Sequence, residues 1–265
     1  MDMGLAGKRA LVTGSSAGLG EAIAKMLAGE GVSIIVHGRD EGRTEAVAKS
    51  VRESGGFAEW VTGDLGEDEA AERVADFAIE HGPVDILVNN AGGYDHVSWS
   101  DTTPELWSEA YQGNVISMVR MIKKLVPPMR ERGWGRVIQI GGGLAVQPHG
   151  SHPHYTASLS ARHNLTVSLA RELRGSGVTS NTVAPGAILV PSVERLLRAA
   201  GERLGWGESW EEIEEAAVRE IVPNDVGRLG RPEEIAAATV YRASPRADYV
   251  SGATIRVDGG TVRTV

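Results

Sequence analysis

Short apolar runs alternate along this chain with longer stretches in which apolar residues recur every three or four positions. Arg9-Ala-Leu-Val-Thr13 is the first run. The segment 21–28 follows it, with Ile23, Met26 and Leu27 at helical spacing. The run 32–36 predicts a second strand, and after it comes a polar helix with Val47 and Val51 turned inward. Ala58-Glu-Trp-Val61 reads as a third strand. An acidic helix carrying Val74, Phe77 and Ala78 leads to a fourth strand at 84–88. A long helix is expected from Pro104, a residue suited to a first helical turn, as far as Pro127. A fifth strand at 137–140 and a helix from about Tyr155 to Leu173 come next. Then follow a sixth strand at 178–183, a mostly helical excursion over 191–221, a helix from Pro232 and a last strand at 253–257.

This alternation predicts the α/β class: a single doubly wound, Rossmann-type domain of about seven parallel strands, covered by helices on both faces. No repeat, low-complexity tract or linker divides residues 1–265. Ligands of such sheets sit beyond the carboxyl ends of the strands. The loop Gly14-Ser15-Ser16-Ala17-Gly18-Leu19-Gly20 lies there, between a buried strand and a helix start. Glycines let the backbone turn tightly and let a pyrophosphate approach without meeting a Cβ, and the free N–H groups of the helix start face the anion. By itself such a loop is also an ordinary strand-to-helix turn.

Composition narrows the partners. A formal net charge of −8 argues against nucleic acid. The absence of cysteine excludes disulfides, thiolate catalysis and cysteine–zinc sites. The first strand begins too early to leave room for a signal peptide, and no apolar run is membrane-length, so a cytoplasmic protein with no membrane partner is expected. Three histidines, His149, His152 and His154, crowd one loop, but no carboxylate joins them and no metal site is expected.

Several motifs in order, together with the ending Arg256-Val-Asp-Gly-Gly260, make the chain resemble the short-chain dehydrogenase/reductase family along nearly its whole length, close to its 3-oxoacyl-carrier-protein-reductase-like members. Thr13-Gly14-x-x-x-Gly18-x-Gly20 matches the cofactor loop of that family. The resemblance gives the cofactor Gly14, Ser15, Ser16, Gly18, Leu19 and Gly20, then Asp64 and Leu65 at the adenine. It adds Asn89, Ala91 and Gly92 from Asn89-Asn90-Ala91-Gly92, and Pro185, Gly186 and Ile188 after the sixth strand. Asp64 could equally cap the next helix, Asn89 could stitch neighbouring strands, and Pro185-Gly186 could be only a turn. Arg39 stands where an acid would hold the ribose hydroxyls of NAD. A guanidinium there suits the 2′-phosphate of NADP, so NADP is expected, with NAD the alternative.

The resemblance implies hydride transfer between a nicotinamide cofactor and a small-molecule carbonyl or alcohol, in a homodimer or homotetramer built through the helices at 105–127 and 155–173. It makes Tyr155 the catalytic tyrosine, also in contact with the cofactor, and Asn114 the helix asparagine. Two further positions are altered: the family's serine is Gly142 here, and its lysine is Leu159. Val190 stands where a threonine usually meets the carboxamide. A phenol begins near pKa 10, and leucine cannot supply the cation that favours its ionised form. Low activity is therefore expected. Restoring both groups should raise the rate, the lysine most. The alternative is an impaired member with a non-redox, structural or regulatory role. His149, His152, His154 and, seven residues after Tyr155, Arg162 are candidate substitutes, with surface or structural roles the plainer reading; Ser151 and Ser158 lack the serine's spacing. Tyr94, His96 and Trp99 follow the fourth strand at the ligand edge. The segment 187–222, with Leu189, Val190, Leu196, Leu197, Trp206 and Trp210, is expected as a lid whose tryptophans either line an apolar pocket or pack the lid onto the body.

Overall fold

A computed structural model describes residues 2–264. Seven parallel strands form one sheet: β1 (Arg9–Val12), β2 (Ser33–Gly38), β3 (Ala58–Thr62), β4 (Ile86–Asn89), β5 (Gly135–Ile140), β6 (Val178–Pro185) and β7 (Thr254–Val257). Their spatial order is β3-β2-β1-β4-β5-β6-β7. The chain winds outward one way from β1 and the other way from β4, so a crevice opens between the carboxyl ends of those two strands.

Alternation along each strand feeds two cores. Ala10 and Val12 face helices α1 (Gly18–Gly29), α2 (Glu41–Glu53) and α9 (Pro232–Ala243), meeting Ile23, Leu27, Val47, Val51, Ile235 and Val240. Leu11 faces the other way, towards α3 (Asp68–Glu80) and α5 (Ser117–Glu131), among Val74, Ala78, Met121, Leu125 and Met129. The central strands, buried on both faces, read as continuous apolar runs, while the edge strands β3 and β7 are partly exposed.

The long helix expected from Pro104 to Pro127 differs in two ways. It is broken into α4 (Pro104–Tyr111) and α5 by a single π turn, Gln112–Ile116, and it continues through Pro127 and Pro128 to Glu131. Pro127 removes the bond to the carbonyl of Lys123, a residue exposed to solvent, so the freed carbonyl is not buried without a partner. Helix α6 (Pro153–Glu172) packs on β6. The excursion after β6 is two helices, α7 (Pro191–Leu204) and α8 (Trp210–Glu220). Among the described residues no helix is long and apolar enough to cross a membrane.

Candidate active site

The glycine loop is held open by its neighbours. Gly14 has φ +64° and Gly18 φ +58°, a backbone region that disfavours side chains. A Cβ on Gly14 would lie 2.8 Å from the Ala91 backbone, and one on Gly20 would lie 2.3 Å from the Gly14 carbonyl. Asn90 donates to the carbonyls of Thr13 and Gly14 at 3.0 and 2.9 Å, while Thr13 Oγ1 accepts from the N–H groups of Asn90 and Ala91. Ser15 is fully buried, its hydroxyl donating to the Val12 carbonyl and accepting from the His37 N–H. His37 closes the brace. Its Nδ1 accepts from the Gly14 N–H at 3.1 Å, and its Nε2 lies 3.1 Å from the Gly63 carbonyl. Burial pulls this imidazole down to about 4, so it is neutral at ordinary pH.

A cavity of about 690 Å³ opens beside this loop. Ser16, Arg39, Arg43, Asp64, Leu65, Ala91 and Gly92 are among its walls. Asp40, one residue after Arg39, is committed elsewhere: it caps α2 by accepting from the Arg43 N–H at 2.9 Å. Arg39 instead faces Asp64 at 3.5 Å, both side chains well exposed. Asp64 also accepts from the Gly66 N–H, so its turn role and its place at the cavity coexist.

A second cavity, about 370 Å³, shares Asn90, Gly92, Gly93, Tyr94 and Asn114 with the first and runs deeper. Leu19, Pro185, Gly186 and Ile188 line it, with Gly142, Tyr155, Leu159 and Arg162. Asn89 lines neither cavity. Alternation along β4 turns its side chain into the sheet interior, where Nδ2 finds no protein partner, and Asn90 takes the cavity-facing place. Sequence reading missed Asn90 as a loop brace; a side chain immediately following a strand end, against a glycine loop, was the available signal.

Tyr155 lies at the start of α6, partly buried, its ring 5.4 Å from that of Tyr94. Burial and Tyr94 push its phenol up, while Arg162 draws it down. Asn114 is placed by the π turn, a feature frequent at functional sites. Its side chain accepts from the Gly93 N–H at 2.9 Å and donates to the Gly93 carbonyl and to Ser158 Oγ. Ser158 is therefore a buried link between Asn114 and the carbonyl of Tyr155, away from the cavity wall. Leu159 is buried, and a Cβ on Gly142 would stand 3.1 Å from Leu159 Cδ1. His163 lies behind the glycines, where a Cβ on Gly141 would be 2.3 Å from its Nε2.

The three loop histidines do not converge on the phenol. Ser151 bridges His149 and His152, His152 stacks on Tyr94 and lies 4.0 Å from the ring of His96, and His154 faces Trp107. Among the described residues no group of three or more side chains suits a metal ion. Trp206 is buried within the cluster that α7 and α8 form between themselves, donating to Glu220 at 2.9 Å, and Trp210 packs against that cluster. Val190, Val193 and Val222 are what this segment gives to the cavity. Trp99 is exposed, beside Trp107.

A glycine loop thus lies at the switch point, with a tyrosine and an asparagine at the deep end of the adjoining cavity. The chain belongs to the short-chain dehydrogenase family, which it matches over residues 8–200. It is accordingly an NAD(P)-dependent oxidoreductase that interconverts a carbonyl and an alcohol. It is 36% identical to the 3-oxoacyl-(acyl-carrier-protein) reductase of Vibrio harveyi, covering 97% of this chain and 98% of that one. Its fold superposes on L-sorbose reductase from Gluconobacter frateurii, solved with NADPH and L-sorbose, with TM-score 0.94, 33% identity and full coverage of both chains. A 3-oxoacyl (acyl-carrier-protein) reductase from Agrobacterium tumefaciens with NADP bound gives TM-score 0.88 at 38% identity, covering 98% and 96%.

Proposed function

We propose that this protein is a cytoplasmic, NADPH-dependent reductase of a small, largely apolar carbonyl compound, with Tyr155 as proton donor. The observation that carries the reading is the pair of cavities continuous through Asn90, Gly92, Gly93, Tyr94 and Asn114. One end offers a glycine cradle and two arginines, the other a tyrosine facing an apolar wall.

The cradle fits a dinucleotide, since the spaces beside Gly14 and Gly20 admit backbone and no Cβ. Gly14, Ser16, Gly18 and Leu19 would hold the pyrophosphate, with Ser15 and Gly20 shaping the loop. Asp64 and Leu65 would take the adenine, and Pro185, Gly186 and Ile188 the nicotinamide half. Arg39, with Arg43 beside it, would take the 2′-phosphate, its charge-assisted bonds displacing the exposed pair with Asp64. When bound, the cofactor supplies the hydride. The protein's own work is to orient and to move a proton. Leu144, Val190, Val193 and Val262 exclude water from the deep cavity. Tyr155, kept neutral by burial, gives its phenolic proton to the nascent alkoxide oxygen. Gly142 offers that oxygen no hydroxyl, so turnover of generic ketones is slow. Residues 187–222 act as a lid over the substrate, and the protein assembles as a homodimer or homotetramer through α4, α5 and α6.

The test is NADPH oxidation with a panel of apolar ketones and quinones. Tyr155→Phe should cost about 10²–10⁴-fold in kcat. A Tyr155→Phe protein as fast as the parent overturns this reading.

A further inference from the structure

Arg162 is buried beneath the deep cavity and is pinned by three carbonyls. Its Nε donates to Asn114 at 2.6 Å, Nη1 to Ile140 at 2.7 Å and Nη2 to Ala91 at 2.5 Å. These carbonyls belong to the π turn, to the carboxyl end of β5 and to the loop after β4, and Arg162 lines the same cavity as Tyr155. None carries formal charge, and among the described residues no carboxylate pairs with Arg162. A buried charge without a counterion costs several kcal/mol, and a neutral side chain of the same bulk would avoid that cost. Something in the site must gain from the charge for it to be worth its burial.

We infer that Arg162 is a positioning residue that supplies the fixed positive charge acting on Tyr155, from two helical turns along α6, in a site where Leu159 supplies none. The inference rests on the reading of Tyr155 as proton donor. Three further observations bear on it. Guanidinium is rigid and strongly basic, and although burial lowers it, Tyr155 opposes the fall and it stays charged at neutral pH. Gly92 is the residue that makes room, since a Cβ there would stand 2.7 Å from Arg162 Nη2 and 2.6 Å from Asn114 Oδ1. His163, the next residue, is held down by burial and by the Arg162 charge, so it stays neutral and does not add a second, titrating cation. The other titratable group against Tyr155 is Tyr94, on the loop after β4, which pushes the phenol up. His96 and His152 contact Tyr94, and His154 is turned to Trp107. Arg162 is thus the group that draws the phenol down. With its Nε on the Asn114 carbonyl, it also ties the asparagine and the tyrosine into one unit.

The experiment needs no cofactor for its first readout. Phenolate absorbance is followed against pH in the parent and in Tyr155→Phe, and the difference isolates the Tyr155 transition. The same is done for Arg162→Leu, Arg162→Lys and the double variant Arg162→Leu with Leu159→Lys, each checked for native circular dichroism. Arg162→Leu should move the Tyr155 transition to higher pH. With NADP it should lower kcat for alcohol oxidation by about tenfold or more, with little change in KM. The double variant, which returns a cation to the neighbouring helix turn, should move both back. Arg162→Lys, which keeps the charge and loses the three-carbonyl clamp, should leave the transition near the parent's. A Tyr155 transition unmoved in folded Arg162→Leu overturns the inference, because a purely structural pin would behave that way. If Arg162→Leu fails to fold, Arg162→Gln, which keeps amide donors without the charge, decides: a transition shifted upward supports the charge role, and one kept in place in a folded protein overturns it. Failure of the functional reading looks different, as brisk turnover by Tyr155→Phe.

Discussion

Protonating His37 should loosen the cofactor loop and destabilise the fold in mild acid. The ring is fully enclosed at the carboxyl end of β2, and burial holds it at about 4 against an ordinary 6.5. With its hydrogen on Nε2, the neutral imidazole accepts from Gly14 and donates to Gly63; a second proton on Nδ1 would set donor against donor. Between about pH 6.5 and 4 the unfolded chain binds this proton and the folded chain does not, so stability falls as pH drops through that window. Each unit between the two values is worth about 1.4 kcal/mol, so His37 should remove about 3 kcal/mol of stability by pH ~4 and add no further slope below it. The assay is urea unfolding, followed by tryptophan fluorescence at a series of pH values, for the parent and His37→Gln. An amide keeps one acceptor and one donor but does not titrate here. The parent's stability relative to the variant should decline by about 3 kcal/mol from neutral pH to pH ~4. His152 and His163 are also held down by burial, but they are common to both proteins and cancel in the comparison. NADPH affinity of the parent should weaken across the same window and that of His37→Gln should not. Parallel stability curves would show that His37 is not the group that couples acid to this loop.

Four other outcomes are expected. NADPH should bind more tightly than NADH, and Arg39→Ala should narrow the gap by about ten- to a hundredfold, the scale of a charged hydrogen bond; equal affinities in the parent would refute the role of Arg39. Gly142→Ser should raise ketone reduction modestly, because its Cβ needs only a few tenths of an ångström from Leu159. Leu159→Lys alone should bring little or lower Tm, since it buries a second cation near Arg162, and a large gain from it would refute that reasoning. Light scattering at micromolar concentration should show a dimer or tetramer, and a monomer would remove the interface proposed for α4, α5 and α6.

The seven strands and the cradle were legible because their signals are local. A strand buried on both faces is an apolar run, and a glycine that must take positive φ is visible as a glycine. The deep end was less legible because its signals are long-range. Nothing in the spacing of Asn114 and Arg162 announces that one's carbonyl holds the other's guanidinium, 48 residues apart in sequence. The π turn was invisible for the same reason: residues 104–131 carry one continuous helical pattern, and the extra residue that re-aims Asn114 is fixed by contacts from α6. His37 read as the polar end of a strand, and only its two partners reveal it as a brace. Trp206 and Trp210, four apart, do not share a helix face: Trp206 lies in the loop after α7 and Trp210 opens α8, and both pack in the cluster of those two helices, which spacing alone could not decide.

Gly142, Leu159 and Arg162 make more sense together than apart. The space a serine would take beside Tyr155 is bounded by Leu159 Cδ1, so the missing hydroxyl and the missing amine are one packing unit. The charge that unit lacks lies one turn further along the same helix face, where a guanidinium replaces an extended, mobile amine with a rigid plane tied to three carbonyls. Such a site keeps the electrostatic help for its phenol but gives up the hydroxyl that steadies substrate oxygen. Its deficit should then appear in how well it holds the reacting oxygen more than in how readily Tyr155 gives a proton. That predicts which repair works. Gly142→Ser should improve kcat/KM on ketones by a larger factor than Leu159→Lys, the reverse of the order expected from the sequence alone. Groups that act as a unit are non-additive, so the double variant need not equal the product of the two. If Leu159→Lys gave the larger gain, the charge at Arg162 would not be reaching the phenol, and the site would be short of both groups after all.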